Sequence, residues 1–197
     1  MIRFTQRETA FSVLSFLAFS LIISFFFSTE IHAQRKDHLT KQEIELVSFY
    51  QEIDKRMEVY TKAVERRFLR LNGASSLSKK ELKRLGKDSE KWGELPKGSQ
   101  TKMLADIDKI IDEAINKIED VADRDMKNGL LAKAVYILSD SAKTFIPRLK
   151  AIREKADGAR EIALINNAIS QCSDIIEAST KLERPSKKKS KKKKKGR

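Results

Sequence analysis

The chain of 197 residues holds one cysteine, Cys172, and two histidines, His32 and His38. A single thiol excludes an internal disulfide and any cysteine-only metal centre. Two histidines at or before the start of the main body do not make a zinc or iron site. Seven glycines and three prolines fall mostly near suspected boundaries. Aromatics contribute only 7% of residues against 35% charged ones, a balance that suits long solvated helices better than aromatic-rich strands. There is no glycine-rich phosphate loop, no nucleophile elbow and no Glu-x-x-His pair. Without Cys-x-x-Cys-His, attachment of a c-type haem is excluded as well. These absences leave no cofactor to expect, no evident small-molecule substrate and no enzyme; the carboxylates outside the apolar seams, such as Glu58 near Lys62 and Asp108 and Asp112 beside Lys109, read as solvated faces.

What is present divides into three parts. Residues 10–28 form an uncharged run, AFSVLSFLAFSLIISFFFS, preceded by Arg3 and Arg7. Ile31-His32-Ala33 fits a relaxed small-residue cleavage pattern, so residues 1–33 read as a signal peptide with Gln34 as the mature start. The run is longer than the usual signal core of about 7–15 residues. An uncleaved membrane anchor, for which about 20 apolar residues suffice, therefore remains the alternative. No lipobox-like cysteine follows the run, so a lipid anchor there is excluded. The expected location is the periplasm, the envelope or the extracellular space, with membrane anchoring as the second possibility.

At the other end, the 184–197 tail contains Lys187, Lys188, Lys189, Lys191, Lys192, Lys193, Lys194, Lys195 and Arg197 with no acidic residue among them. With no apolar residues to bury, it reads as a disordered anion-binding segment. Its lysines are point charges, suited to nonspecific attraction to anionic lipid, an envelope polymer or nucleic acid. A lysine run alone would suit a nuclear address, which the leader opposes. The formal charge of +13 is therefore mainly a property of the tail. Removing the nine tail cations and the leader's two basic and two acidic residues leaves 30 basic and 26 acidic residues over 34–186. That near balance predicts no large basic face in the fold.

Between the two ends, residues 34–183 carry four apolar seams. The first runs through Leu46, Tyr50, Ile53, Met57, Tyr60, Val64, Phe68 and Leu71. The second runs through Leu104, Ile107, Ile111, Ala114, Ile118 and Val121, widened by Met103, Ile110 and Ile115. The third is an unbroken 4-3 alternation from Leu131 through Val135, Leu138, Ala142, Phe145 and Leu149 to Ile152 and Ala156. The fourth runs through Ile162, Ile165, Ile169, Cys172, Ile176 and Ser179. Such spacing predicts an all-α fold, an antiparallel four-helix bundle with coiled-coil-like seams. Asn72-Gly73, Leu95 to Ser99, Asn128-Gly129, Asp157-Gly158 and Arg184-Pro185 punctuate it, with Ser99 as an N-cap. Pro147 falls outside the third seam and is expected to bend that helix without ending it.

The 73–98 connection is long for a bundle. Within it, Ser78 to Glu81 resembles a capping box, and Trp92 is expected to fold back onto one end of the bundle. Cys172, between Ile169 and Ile176, reads as a buried thiol. Arg66, Arg67 and Arg70 form the one basic cluster of the body and read as ordinary helix surface. The function expected from these features is that of a secreted or envelope-associated binding or structural protein. The alternative is a partner-binding module held at the membrane by its N-terminal helix.

Overall fold

The computed structural model describes residues 38–73 and 87–185; the leader, the Ser78–Glu81 segment and the lysines of the tail lie outside them. Among the described residues there is no strand. Helix α1 spans Lys41–Phe49, α2 Ile53–Asn72, α3 Gln100–Arg124, α4 Leu131–Arg153 and α5 Ala159–Thr180, with a further helical stretch over 87–92.

The helix starts follow local chemistry. Thr40 and Glu43 form a reciprocal capping box at α1, in which each side chain satisfies an otherwise unpaired N–H of the first turn. The Ser99 hydroxyl accepts from the N–H of Lys102 at 3.2 Å and caps α3. Helix α2 ends at Gly73, whose φ of 77° is one that a side chain strains to adopt. Gly158 separates α4 from α5, so the third and fourth seams belong to two helices. Pro147 is exposed within α4, and its neighbours Phe145 and Leu149 stay fully buried.

The first seam differs from expectation. Its spacing is continuous, yet the chain opens at Tyr50–Glu52 into α1 and α2. Tyr50 is extended, with φ −84° and ψ 121°, and its carbonyl accepts from Arg56 Nε at 2.7 Å. The break turns α1 back onto α2, which brings Glu43 to Arg66 and Arg67. Leu46 and Tyr50 still pack against the core as partly buried residues.

One continuous core joins all the helices. It contains Met57, Tyr60, Val64 and Phe68 of α2, Ile107, Ile110, Ile111 and Ala114 of α3, Leu138, Phe145 and Leu149 of α4, and Ile165, Ala168 and Cys172 of α5. Phe68 and Phe145 meet with ring centroids 5.6 Å apart. Burying a large apolar side chain of this kind contributes about 1.5–3 kcal/mol. Helix α5 is turned slightly from the face that the fourth seam assigns: Ala168 and Ile175 are buried, whereas Ile169 and Ile176 are only partly so.

Contacts between helices follow a ring. Helix α2 packs on α3 and α4, and α5 packs on the same two, while α2 and α5 do not touch and α3 meets α4 only slightly. Cross-helix bonds give the directions. Tyr60 reaches Glu113 and Arg67 lies by Asp106, so α2 and α3 are antiparallel. Ser139 bonds Ser179 and Tyr136 bonds Leu182, so α4 and α5 are antiparallel too. Asp54 pairs with Lys133 while Phe68 meets Phe145, and Thr101 bonds Glu161 while Asp108 bonds Asn167. Thus α2 and α4 run parallel, as do α3 and α5. Direction alternates along the chain, but two of the packed pairs are parallel because consecutive α3 and α4 make little contact with each other.

Candidate functional site

The charged centre of the body lies around Glu43, Arg66 and Arg67, each no more than 1% exposed. Glu43 Oε1 accepts from Arg66 Nε at 3.1 Å and from Arg67 Nη1 at 2.5 Å. Its other oxygen, Oε2, takes the N–H of Thr40 at 2.9 Å. Arg66 also donates through Nη2 to the carbonyls of Trp92, Gly93 and Glu94, and its guanidinium lies 5.9 Å from the Trp92 ring centroid. Arg67 donates to the carbonyls of Ala63 and His38 at 3.0 and 2.6 Å. Two buried cations are thus matched by one carboxylate and by carbonyls from three separate segments.

Around this centre lies a second layer of polar groups. Asp106 Oδ2 is 3.9 Å from Arg67 Nε, and its Oδ1 accepts from Lys102 Nζ at 2.9 Å. Burial holds the Asp106 carboxyl above its ordinary range, against the pull of Lys102 and Arg67. Glu113 joins the Tyr60 hydroxyl at 2.8 Å and His38 Nε2 at 2.7 Å. Burial, followed by the Glu113 charge, pushes the Tyr60 phenol upward, so it serves as a neutral donor. Burial likewise lowers Arg66 while Glu43 opposes the shift.

Beside His38 and Asp106 opens a cleft of about 860 Å³ between the starts of α3 and α5. Ser99, Lys102, Lys109, Lys155, Arg160 and Glu161 line much of the rest. Glu161 is held by Gln100 and Thr101. The walls are mostly exposed side chains. No group of three or more His, Cys, Asp or Glu placed to hold a metal occurs among the described residues. The network can anchor segments to one another; its central carboxylate is fully engaged by donors and presents no free base to the cleft.

Several expectations change here. Arg66 and Arg67 are buried anchors, and only Arg70 of that trio lies on the surface. Nor are all carboxylates solvated, since Glu43, Asp54 and Asp106 are buried. Lys62 pairs with Asp88, and Glu58 takes Lys55 instead. Trp92 is buried in the core. Cys172 is fully buried, and burial pushes its thiol up to about 12. The spacing Thr40-x-x-Glu43 signals the capping box, but the two arginines that share Glu43 are 23 and 24 residues away and leave no local sign. The anion-binding set Lys187–Lys189, Lys191–Lys195 and Arg197 lies outside the described residues; just before it, Arg184 is seated on Tyr136 and Asp140. Compared with known proteins, the chain matches no family model, no curated protein and no solved structure.

Proposed function

We propose that this is an exported, non-enzymatic protein of the envelope or extracellular space, a four-helix bundle that presents a polybasic tail to anionic surfaces. The observation that carries the reading is the concentration of nine positive charges between Lys187 and Arg197. Each basic residue close to anionic lipid contributes about 1 kcal/mol, enough in sum for reversible attachment. The leader supports export, and the bundle supplies a folded body of binding or structural role. Its buried charges support that reading, because they are engaged in joining segments. No helix among the described residues is long and apolar enough to cross a membrane. The second reading, an anchored partner-binding module, rests on the 19-residue uncharged run at 10–28.

The mature N-terminus separates the two: a start at Gln34 supports secretion, and a retained Met1 or Ile2 supports the anchor. For the tail, the expected outcome is salt-sensitive binding to anionic vesicles that is lost when the tail lysines are replaced by Gln. Equal affinity of the two proteins at several salt concentrations would remove the tail from the function.

A further inference from the structure

We infer that the cleft between the starts of α3 and α5 binds a small phosphorylated polyol. The inference does not rest on the tail and concerns the folded body alone. The walls of the cleft are fixed to each other: Glu161 of α5 accepts from Gln100 Nε2 at 3.1 Å and from Thr101 Oγ1 at 2.7 Å, both at the start of α3. Two of its more buried lining residues, Asp106 and His38, are fixed as well. Asp106 accepts from Lys102 Nζ at 2.9 Å. His38 meets Glu113 through Nε2 at 2.7 Å, and its carbonyl accepts from Arg67 at 2.6 Å. The cleft is thus built into the fold, and its volume of about 860 Å³ falls within the roughly 300–1,000 Å³ usual for small-molecule sites.

Charge decides what enters. Lys102, Lys109, Lys155 and Arg160 line the cleft together with the carboxylates Asp106, Asp157 and Glu161. Asp106 is already balanced: beside Lys102 it has Arg67, 1% exposed, whose Nε lies 3.9 Å from Oδ2 and has no hydrogen-bond acceptor of its own among the described residues. Glu161 is taken up by its two neutral donors. Lys109, Lys155 and Arg160 remain. They come from the middle of α3, the α4–α5 connection and the first turn of α5, all three are exposed, and none makes an ion pair among the described residues. Unpaired cations gathered around one concavity repel each other and attract a multiply charged anion. Donors from three segments match the three terminal oxygens of a phosphomonoester better than the two of a carboxylate. Gly158 caps α5 without a side-chain bond, so the first-turn N–H groups there add a weaker pull in the same direction.

The remaining lining selects the body of the ligand. Among the described residues that line the cleft, Ala105 alone carries an apolar side chain, which leaves no surface for a lipid tail or an aromatic ring. Asp157 and the Ser99 hydroxyl instead offer an acceptor and a donor to hydroxyl groups. A phosphate on a short polyhydroxyl chain meets both requirements.

His38 makes the test local. The chain has one other histidine, His32, so His32→Gln leaves a single imidazole, whose ring-proton NMR signals report on the cleft. The full-length His32→Gln protein is titrated with glycerol 3-phosphate at constant pH and salt. The expected result is a saturable shift of the His38 signals that glycerol does not produce. Lys155→Gln with Arg160→Gln should weaken the affinity about tenfold, and Lys109→Gln, on a different helix, about threefold. Lys150→Gln with Arg153→Gln makes the same change of charge at exposed positions outside the cleft and should leave the affinity unchanged. All of these side chains are exposed, so the variants should melt like wild type. Absence of a His38 shift, or equal affinity of the two double variants, overturns the site. Inorganic phosphate bound as tightly as glycerol 3-phosphate overturns the polyol, and glucuronate bound more tightly overturns the phosphate. Replacing the tail lysines by Gln should leave the His38 response intact; its loss would assign the anion to the tail and overturn the cleft.

Discussion

Replacing Glu43 by Gln keeps the size of the side chain and removes its charge. Arg66 and Arg67 then remain buried, each 1% exposed, without the carboxylate that both share. Breaking a buried ion pair on one side costs about 3–5 kcal/mol. Two features reduce the loss: Arg66 keeps three carbonyl acceptors, and Arg67 keeps Asp106 at 3.9 Å. The lower end of that range, about 3 kcal/mol, is therefore expected. At about 2–4 °C per kcal/mol for a body of this size, the melting temperature should fall by about 6–12 °C. Glu58→Gln is the control, because its partner Lys55 is on the surface at i,i+3 and such pairs contribute well under about 1 kcal/mol. Thermal melts followed by circular dichroism at neutral pH compare the three proteins. If Glu43→Gln melts no lower than Glu58→Gln, the shared carboxylate is not what compensates the arginines.

Three other perturbations probe separate parts of the structure. Leu138→Asp places an unpaired charge among fully buried residues and should unfold the body; a melt matching wild type would show that this seam does not face inward. With its thiol raised to about 12 by burial, Cys172 should resist an alkylating reagent at mildly alkaline pH until urea unfolds the chain, and prompt labelling of the native protein would contradict its position. Asp106 holds its proton more tightly when folded than unfolded, so its contribution is present below the unfolded pKa and declines as pH rises through the folded one. Asp106→Asn should then flatten the stability profile above about pH 4, and an equally sloped urea-midpoint profile would count against it.

Helix identity was legible because aliphatic residues recur at helical spacing and the breaks carry Gly, Pro or Asn. Met57, Phe68, Ile111 and Phe145 occupy the inward positions that their spacing assigns. The Tyr50–Glu52 break was not legible, since 3.5-residue spacing continues through it. What accompanies it is a distant charge pairing, in which Glu43 meets arginines more than 20 residues on. Arg66 looked like surface because an arginine's burial depends on acceptors from Trp92 to Glu94, and periodicity does not encode them. The tail's charge, by contrast, was plain in the residues themselves.

The ring of contacts has a consequence for how the chain assembles. Helices α4 and α5 make an antiparallel hairpin across only five residues, 154–158. Helices α2 and α3 must first close the interval 73–99, which by the logarithmic dependence on loop length costs about 1.5 kcal/mol more entropy. Helices α3 and α4, although consecutive, gain little from each other and offer no nucleus of their own. The C-terminal hairpin is thus expected to form first and to serve as the template on which the other pair docks. Pulse-labelled amide exchange should protect Leu138 and Cys172 before Tyr60 and Ile111, and the opposite order would place the nucleus in the N-terminal half.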